Sequence, residues 1–290
     1  VDLRIDSETG EITSWKHKGK LITNHAIRPN FWRPPTDNDL GNGMDKWARV
    51  WQQATYEAKS RLTEKPKKVK KGMSFEVTYD LPDSIALMKM VFTISELGIF
   101  VIDYEFEPLK KNLPNIPRIG LFLTLPDSFK DVSWYGKGPH ETYWDRKTGA
   151  KTALFIGKVK DQFHRYSRPQ DTGNKTDVRW MEVSNGSMSM LASGNGALLN
   201  ASIWPFLMSE LDHDSEKDGA ESASGLVPVT KKHGADIKIG KEIQWNLDHL
   251  QMGVGGDTSW GRLVHDEYTI KPKNYRYSLT LIPSIKQVRK

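Results

Sequence analysis

The 290-residue chain contains no cysteine. That absence excludes a disulfide framework, a thiolate zinc site and a cysteine nucleophile, while leaving the cellular compartment open. Long apolar runs are missing as well. No stretch approaches the ~18 residues a membrane-spanning helix needs, and no basic-then-apolar leader follows Val1, so neither a membrane partner nor a signal peptide is expected. A start at Val1 instead of Met reads as an excised or processed piece of something longer. Charge of one sign is scarce once its source is located. Most of the net +6 comes from Lys65, Lys67, Lys68, Lys70 and Lys71. This cluster is interrupted by Pro66, followed by Gly72, and lacks interleaved aromatic rings on which bases could stack, so it reads as a solvated loop or a guarded edge strand. Nucleic acid is therefore not expected as a partner.

What the chain does have is tryptophan, ten in all, and strict alternation. Indoles serve where a flat apolar face meets a partly polar partner, a sugar ring included, although core packing is the commoner use of any one of them. Met73, Phe75, Val77, Tyr79 and Leu81 fall on one side of an extended segment. Ala86, Met88, Met90, Phe92 and Ile94 repeat the pattern, as do Phe100, Ile102, Tyr104 and Phe106. Turn chemistry at Pro82-Asp83-Ser84 and Glu96-Leu97-Gly98 joins them, predicting a three-stranded meander over 73–107. Further strands are predicted at 119–125, 186–193, 197–203, 250–254 and from Tyr275 to Leu281. Only Trp47, Val50, Trp51 and Ala54 carry the helical period, predicting one short amphipathic helix over 45–58 with Asp45 as its N-cap. The Gly/Ser/Asp/Lys stretch 212–225 reads as a mobile loop. The fold class is accordingly all-β, a single large antiparallel sandwich over 1–290 with one or two short helices.

Four polar loops are candidates for chemistry. Phe31–Gly41 combines an aromatic, a guanidinium, two prolines and the triplet Asp37-Asn38-Asp39, with Gly41 read as a positive-φ position; it lacks the ligand spacing of a calcium loop. In Gly136–Arg146, Glu141 and Asp145 would share one side if the stretch were helical. Their spacing is short for straddling a sugar ring, and pairing with Arg146 or Lys147 is the commoner outcome. Arg168–Trp180 either lines a pocket or connects strands. Gly253–Gly261 is neither a dinucleotide fingerprint nor a Walker loop; its glycines suggest an indole, Trp260, held on a tight exposed turn to stack on a ligand.

Taken in order, Phe-x-Arg-x-Pro-x-Asp-Asn-Asp-x-Gly (31–41), Arg118-Ile119-Gly120, Gly-x-Gly-Pro-x-Glu-x-Tyr-x-Asp-Arg (136–146) and Met-Gly-x-Gly-Gly-Asp-x-Ser-Trp (252–260) resemble the C-terminal, small-chain domain of LacZ-type β-galactosidases of glycoside hydrolase family 2. The resemblance spans essentially the whole chain; the stretch 212–240 departs from the family pattern. It implies a galactose mutarotase-like β-supersandwich that completes the galactoside pocket of a retaining hydrolase. The chemistry itself would reside in a TIM barrel of the same polypeptide or of a large subunit. No residue of this chain is then catalytic, and the fragment alone is expected to be inactive. The residues implied for substrate binding are Trp260, Asp257, Asp37, Asn38 and Asp39. No cofactor belongs to this segment, whereas magnesium and sodium are expected in the whole enzyme. That enzyme is expected to be a soluble homo-oligomer of the bacterial cytoplasm or periplasm. Two alternatives of other classes are a free-standing carbohydrate-binding module and a mutarotase-type catalyst, the latter requiring a His and a carboxylate to converge on a sugar ring, a role the sequence does not assign to His140 and Glu141.

Overall fold

The computed structural model describes residues 1–212, 232–257 and 260–285. A small sheet of β1 (Asp2–Ile5), β2 (Ile12–His17) and β3 (Lys20–Thr23) is followed by β4 (Arg28–Asn30) and the helices α1 (Asp37–Gly41), α2 (Met44–Trp47) and α3 (Arg49–Tyr56). The meander then runs through β5 (Lys59–Val69), β6 (Gly72–Asp80), β7 (Ala86–Ile94) and β8 (Phe100–Pro108). Next come β9 (Arg118–Pro126), β10 (Asp131–Gly138), β11 (Lys151–Lys158), β12 (Lys175–Val178), β13 (Trp180–Ser184) and β14 (Met188–Gly194). The last strands are β15 (Leu199–Trp204), β16 (Glu242–Gln251) and β17 (Tyr275–Ile285). Among the described residues no helix is long and apolar enough to cross a membrane.

Two sheets carry the architecture, a nine-stranded one in the order β11-β10-β13-β14-β17-β8-β7-β6-β5 and a five-stranded one in the order β12-β15-β16-β9-β4. Every pairing is antiparallel, with Phe75 opposite Phe92 and Met90 opposite Tyr104 in the meander. The alternation in sequence is the cause: Met88, Met90, Phe92, Ile102, Tyr104 and Phe106 all turn inward, meeting Leu121, Leu123, Trp245 and Leu247 of the other sheet in one apolar cluster. Met73 departs from the pattern, 41% exposed at the strand end. The lysine cluster resolves as an edge guard. β5 is the outer strand of the large sheet, Pro66 withholds a ladder donor there, Lys65, Lys67 and Lys68 are exposed, and Lys70 and Lys71 form the turn into β6.

Three elements differ from expectation. The predicted helix over 45–58 starts eight residues earlier and is broken into three pieces, against the one or two helices expected. Its cap is a capping box at Thr36, whose Oγ1 accepts from Asp39 N at 3.2 Å while Asp39 Oδ2 accepts from Thr36 N at 3.0 Å. Asp45 caps nothing, because Gly43, with φ of 75°, occupies the N-cap of α2 and ends the first turn. Of the strand expected at 250–254, only Leu250 and Gln251 are extended in a sheet, as the end of β16, which begins at Glu242; 252–254 are loop. Finally, Gly136–Arg146 is the end of β10 and a turn, not a helix, so Glu141 and Asp145 do not share a helical face. The reading of 212–225 as a mobile loop falls, apart from Asp212, outside the described residues.

Candidate functional site

The four polar loops converge at one end of the sandwich, and buried or half-buried carboxylates hold them there. Arg33 is completely buried and grips Asp39 in a two-point ion pair, Nε to Oδ2 at 3.0 Å and Nη2 to Oδ1 at 2.8 Å. Its remaining donors reach the carbonyls of Met252 (2.6 Å) and Gly253 (2.8 Å), tying the first loop to the last. Asp145 accepts from Gly255 N at 2.7 Å, and Gly253 has no room for a Cβ, which would lie 2.6 Å from that carboxyl. Glu141 accepts from Thr172 Oγ1 (2.9 Å), Gly173 N (2.8 Å), the Tyr166 hydroxyl and Arg146 (3.4 Å), fastening the second loop to the third. Asp171 N donates to Pro34 O at 3.0 Å, closing the circle.

Beneath the loops lies a second layer of buried charge. Arg118 of β9 faces Asp171 at 3.1 Å and Asp248 of β16 at 3.3 Å, all three fully buried. Asp171 also accepts from the Tyr143 hydroxyl (3.0 Å) and Gln251 Nε2 (2.7 Å). Burial raises the pKa of Asp248 to about 7, Arg118 opposing and Asp171 reinforcing the rise. Asp171 is raised in the same way, with Arg118 and Arg33 pulling it back. Gly120 is required beside this pair, since a Cβ there would lie 2.0 Å from Asp248 Oδ1.

Of the residues implied for sugar binding, the structure gathers four at the surface and sinks the fifth. Trp260 is 50% exposed, whereas six of the other indoles are buried and three half-buried. Its Nε1–H donates to Asp37 O at 3.1 Å, and its ring lies on Gly41, where a Cβ would stand 2.8 Å from Cε2. Gly41 thus serves as a seat for the indole and not as the positive-φ position expected; Gly43, Gly255, Gly256 and Gly261 have that role. Asp37 is exposed and exchanges two hydrogen bonds with Gln170, its N–H to Oε1 (3.2 Å) and its Oδ2 from Nε2 (3.1 Å). Asn38 Nδ2 donates to Val254 O at 3.1 Å. Asp257 is exposed and pairs with His265 Nε2 at 2.7 Å; that hydrogen bond, with its own backbone, keeps the carboxyl below its usual range and ionised at neutral pH.

Asp39 is different. With no exposed surface and its oxygens occupied by Arg33 and Thr36 N, it positions the loop and meets no ligand directly.

Two clefts flank the indole loop and share Arg146. One, about 480 Å³, is lined by Asp145, Gly256, Asp257, His265, Glu267 and Tyr268 among others. The other, about 200 Å³, lies between Asp37, Asn38, Glu141, Tyr166 and Gln170. Gln170 falls in the Arg168–Trp180 loop already singled out in sequence, whereas nothing local distinguishes Tyr166, and only the assembled cleft brings it forward. His140 is exposed, and its neighbour Glu141 already accepts from four donors.

Two antiparallel sheets around one apolar cluster, with the polar loops gathered at an end, define an all-β supersandwich of the galactose mutarotase type. A solved structure from Escherichia coli K12, assigned as an aldose 1-epimerase, superposes with a TM-score of 0.52 over 98% of this chain and 96% of its own, at 8% identity, a likeness of fold alone. The sequence is more specific. Residues 1–281 match the beta galactosidase small chain family, and the chain belongs to it. Among similar proteins are the beta-galactosidase of Priestia megaterium, 35% identical over 283 residues and 96% of this chain, and that of Halalkalibacterium halodurans, 31% identical over 269 residues and 90% of this chain. The chain spans about a quarter of the length of these relatives, 25% and 24% respectively.

Proposed function

We propose that the chain is the terminal domain of a β-galactosidase of glycoside hydrolase family 2, and that it completes the galactoside pocket with Trp260 while the reacting carboxylates belong to a barrel elsewhere in the protein. The observation that carries this reading is the state of Trp260. It is the one exposed indole of ten, yet it is fixed by a hydrogen bond to Asp37 O and by a glycine seat, the arrangement expected of a ring displayed for stacking. A pinned indole loses little freedom on binding and can cover the apolar C–H face of a galactosyl unit. Asn38 and the ionised Asp257 flank it with acceptors for sugar hydroxyls, and Asp37 contributes its carbonyl as the anchor.

Residues 1–290 act as one domain in this reading, supported by the single apolar cluster that joins the sheets. The rest of the polypeptide, or a large subunit, is the direct partner, and the whole enzyme is a soluble homo-oligomer. The magnesium and sodium of the whole enzyme would belong to that partner.

The test is Trp260→Leu in the whole enzyme. KM and the inhibition constants for galactose and lactose should rise by about tenfold or more, with folding retained; unchanged constants would refute the assignment.

A further inference from the structure

A third cavity, of about 590 Å³, shares only Glu141 and Tyr166 with the cleft beside Asp37 and belongs to no part of the indole site. Its walls come from β10, β11 and the segment that follows, and their apolar share includes Phe155, Ile156 and Phe163. Lys175, the first residue of β12, also lines it. This lysine is 3% exposed and has neither a carboxylate at ion-pair distance nor a hydrogen-bond acceptor among the described residues; Trp134 lies under its ammonium at 5.2 Å. The nearby Glu141 cannot serve, because its oxygens are already taken by Tyr166, Arg146, Thr172 and Gly173. Burial lowers the pKa of Lys175 to about 8, with Glu141 pulling it back up, so the amine is still mostly protonated near neutral pH. Buried ammonium groups are ordinarily paired, and one that lines an open cavity unpaired calls for an anion from outside.

We propose that this cavity is a binding site for a small organic carboxylate with a flat apolar body, whose carboxylate meets Lys175 while Phe155, Phe163 and Ile156 flank the rest. A monoanion fits better than a phosphate. A second negative charge would find no further free lysine or arginine in the wall among the described residues, since Lys158 is already paired with Asp131, and Asp161 adds a charge of the wrong sign.

The experiment is fluorine NMR of 4-fluorobenzoate with the whole protein, beside the neutral isostere 4-fluorobenzamide. Saturable line broadening is expected for the acid, with at least tenfold weaker binding of the amide. Lys175→Met, equal in reach but uncharged, should lose the acid at least tenfold while melting no lower than the parent, and Lys175→Arg should keep it within several-fold. No saturable binding of the acid, or acid and amide binding within threefold of each other, overturns the proposal without reference to any variant. Acid binding by Lys175→Met as tight as by the parent overturns it equally.

Discussion

Gly41→Ala separates the seat of the indole from the stability of the fold. Gly41 ends α1 with no positive φ, so alanine is free of backbone strain and gains up to about 1 kcal/mol of helix propensity. Its Cβ, however, would stand 2.8 Å from Trp260 Cε2 and 3.0 Å from Gly261 N. Ordinary carbon contacts begin near ~3.5 Å, so the ring must withdraw by roughly 0.7 Å, and Gly261 must yield with it. The 3.1 Å hydrogen bond to Asp37 O breaks first. Such a bond contributes about 1 kcal/mol net, which the helix gain offsets. The melting temperature should therefore stay within a few degrees. Binding should not, because about 1 kcal/mol of lost preorganisation is about fivefold in affinity. The assay is KM for a galactoside in the whole enzyme, alongside exchange of the Trp260 indole N–H. A fivefold higher KM with faster exchange is expected, and Gly41→Ala should add almost nothing to Trp260→Leu, since both act through one ring. An unchanged KM with an unchanged exchange rate would refute the reasoning.

Arg33→Met strands the buried Asp39 carboxylate and releases the carbonyls of Met252 and Gly253, so thermal or denaturant unfolding should show a loss of about 3–5 kcal/mol; a loss under about 1 kcal/mol would show the pair to be dispensable. Asp248 predicts a pH effect. Because burial raises its pKa from 3.8 to about 7, the native state holds a proton that the unfolded chain has released across that window. Its contribution is full below about pH 4 and is lost as pH rises towards 7. The parent should thus lose stability relative to Asp248→Asn by up to about 1.4 kcal/mol per pH unit in that range; parallel melting curves for the two proteins between pH 4 and 7 would contradict it.

The sandwich is legible in the sequence because strands bury one face and the alternation records it. Met88, Met90 and Phe92 face the core for the same reason that they are apolar, and the Lys65–Lys71 run reads as a solvated loop or an edge guard, between which the strand order decides. The true start of the helical segment is hidden for a local reason too: the residues of the capping box, Thr36 to Asp39, look equally like part of a ligand loop. The order of motifs carries the family, and the glycines around Trp260 carry the displayed indole.

What the sequence alone determined, then, was the layering of the fold and the identity of the loops, both set by local composition and period. Only the tertiary structure decided which polar residues clamp and which are available. Asp39 and Asp257 look equally suited to a ligand in sequence, yet one is sealed against Arg33 and the other stands in solvent beside His265. Lys175 looks like any strand lysine until β10, β11 and the segment that follows fold together into the walls of its cavity. Burial and pairing depend on how the loops fold against one another, and no period in the sequence encodes that.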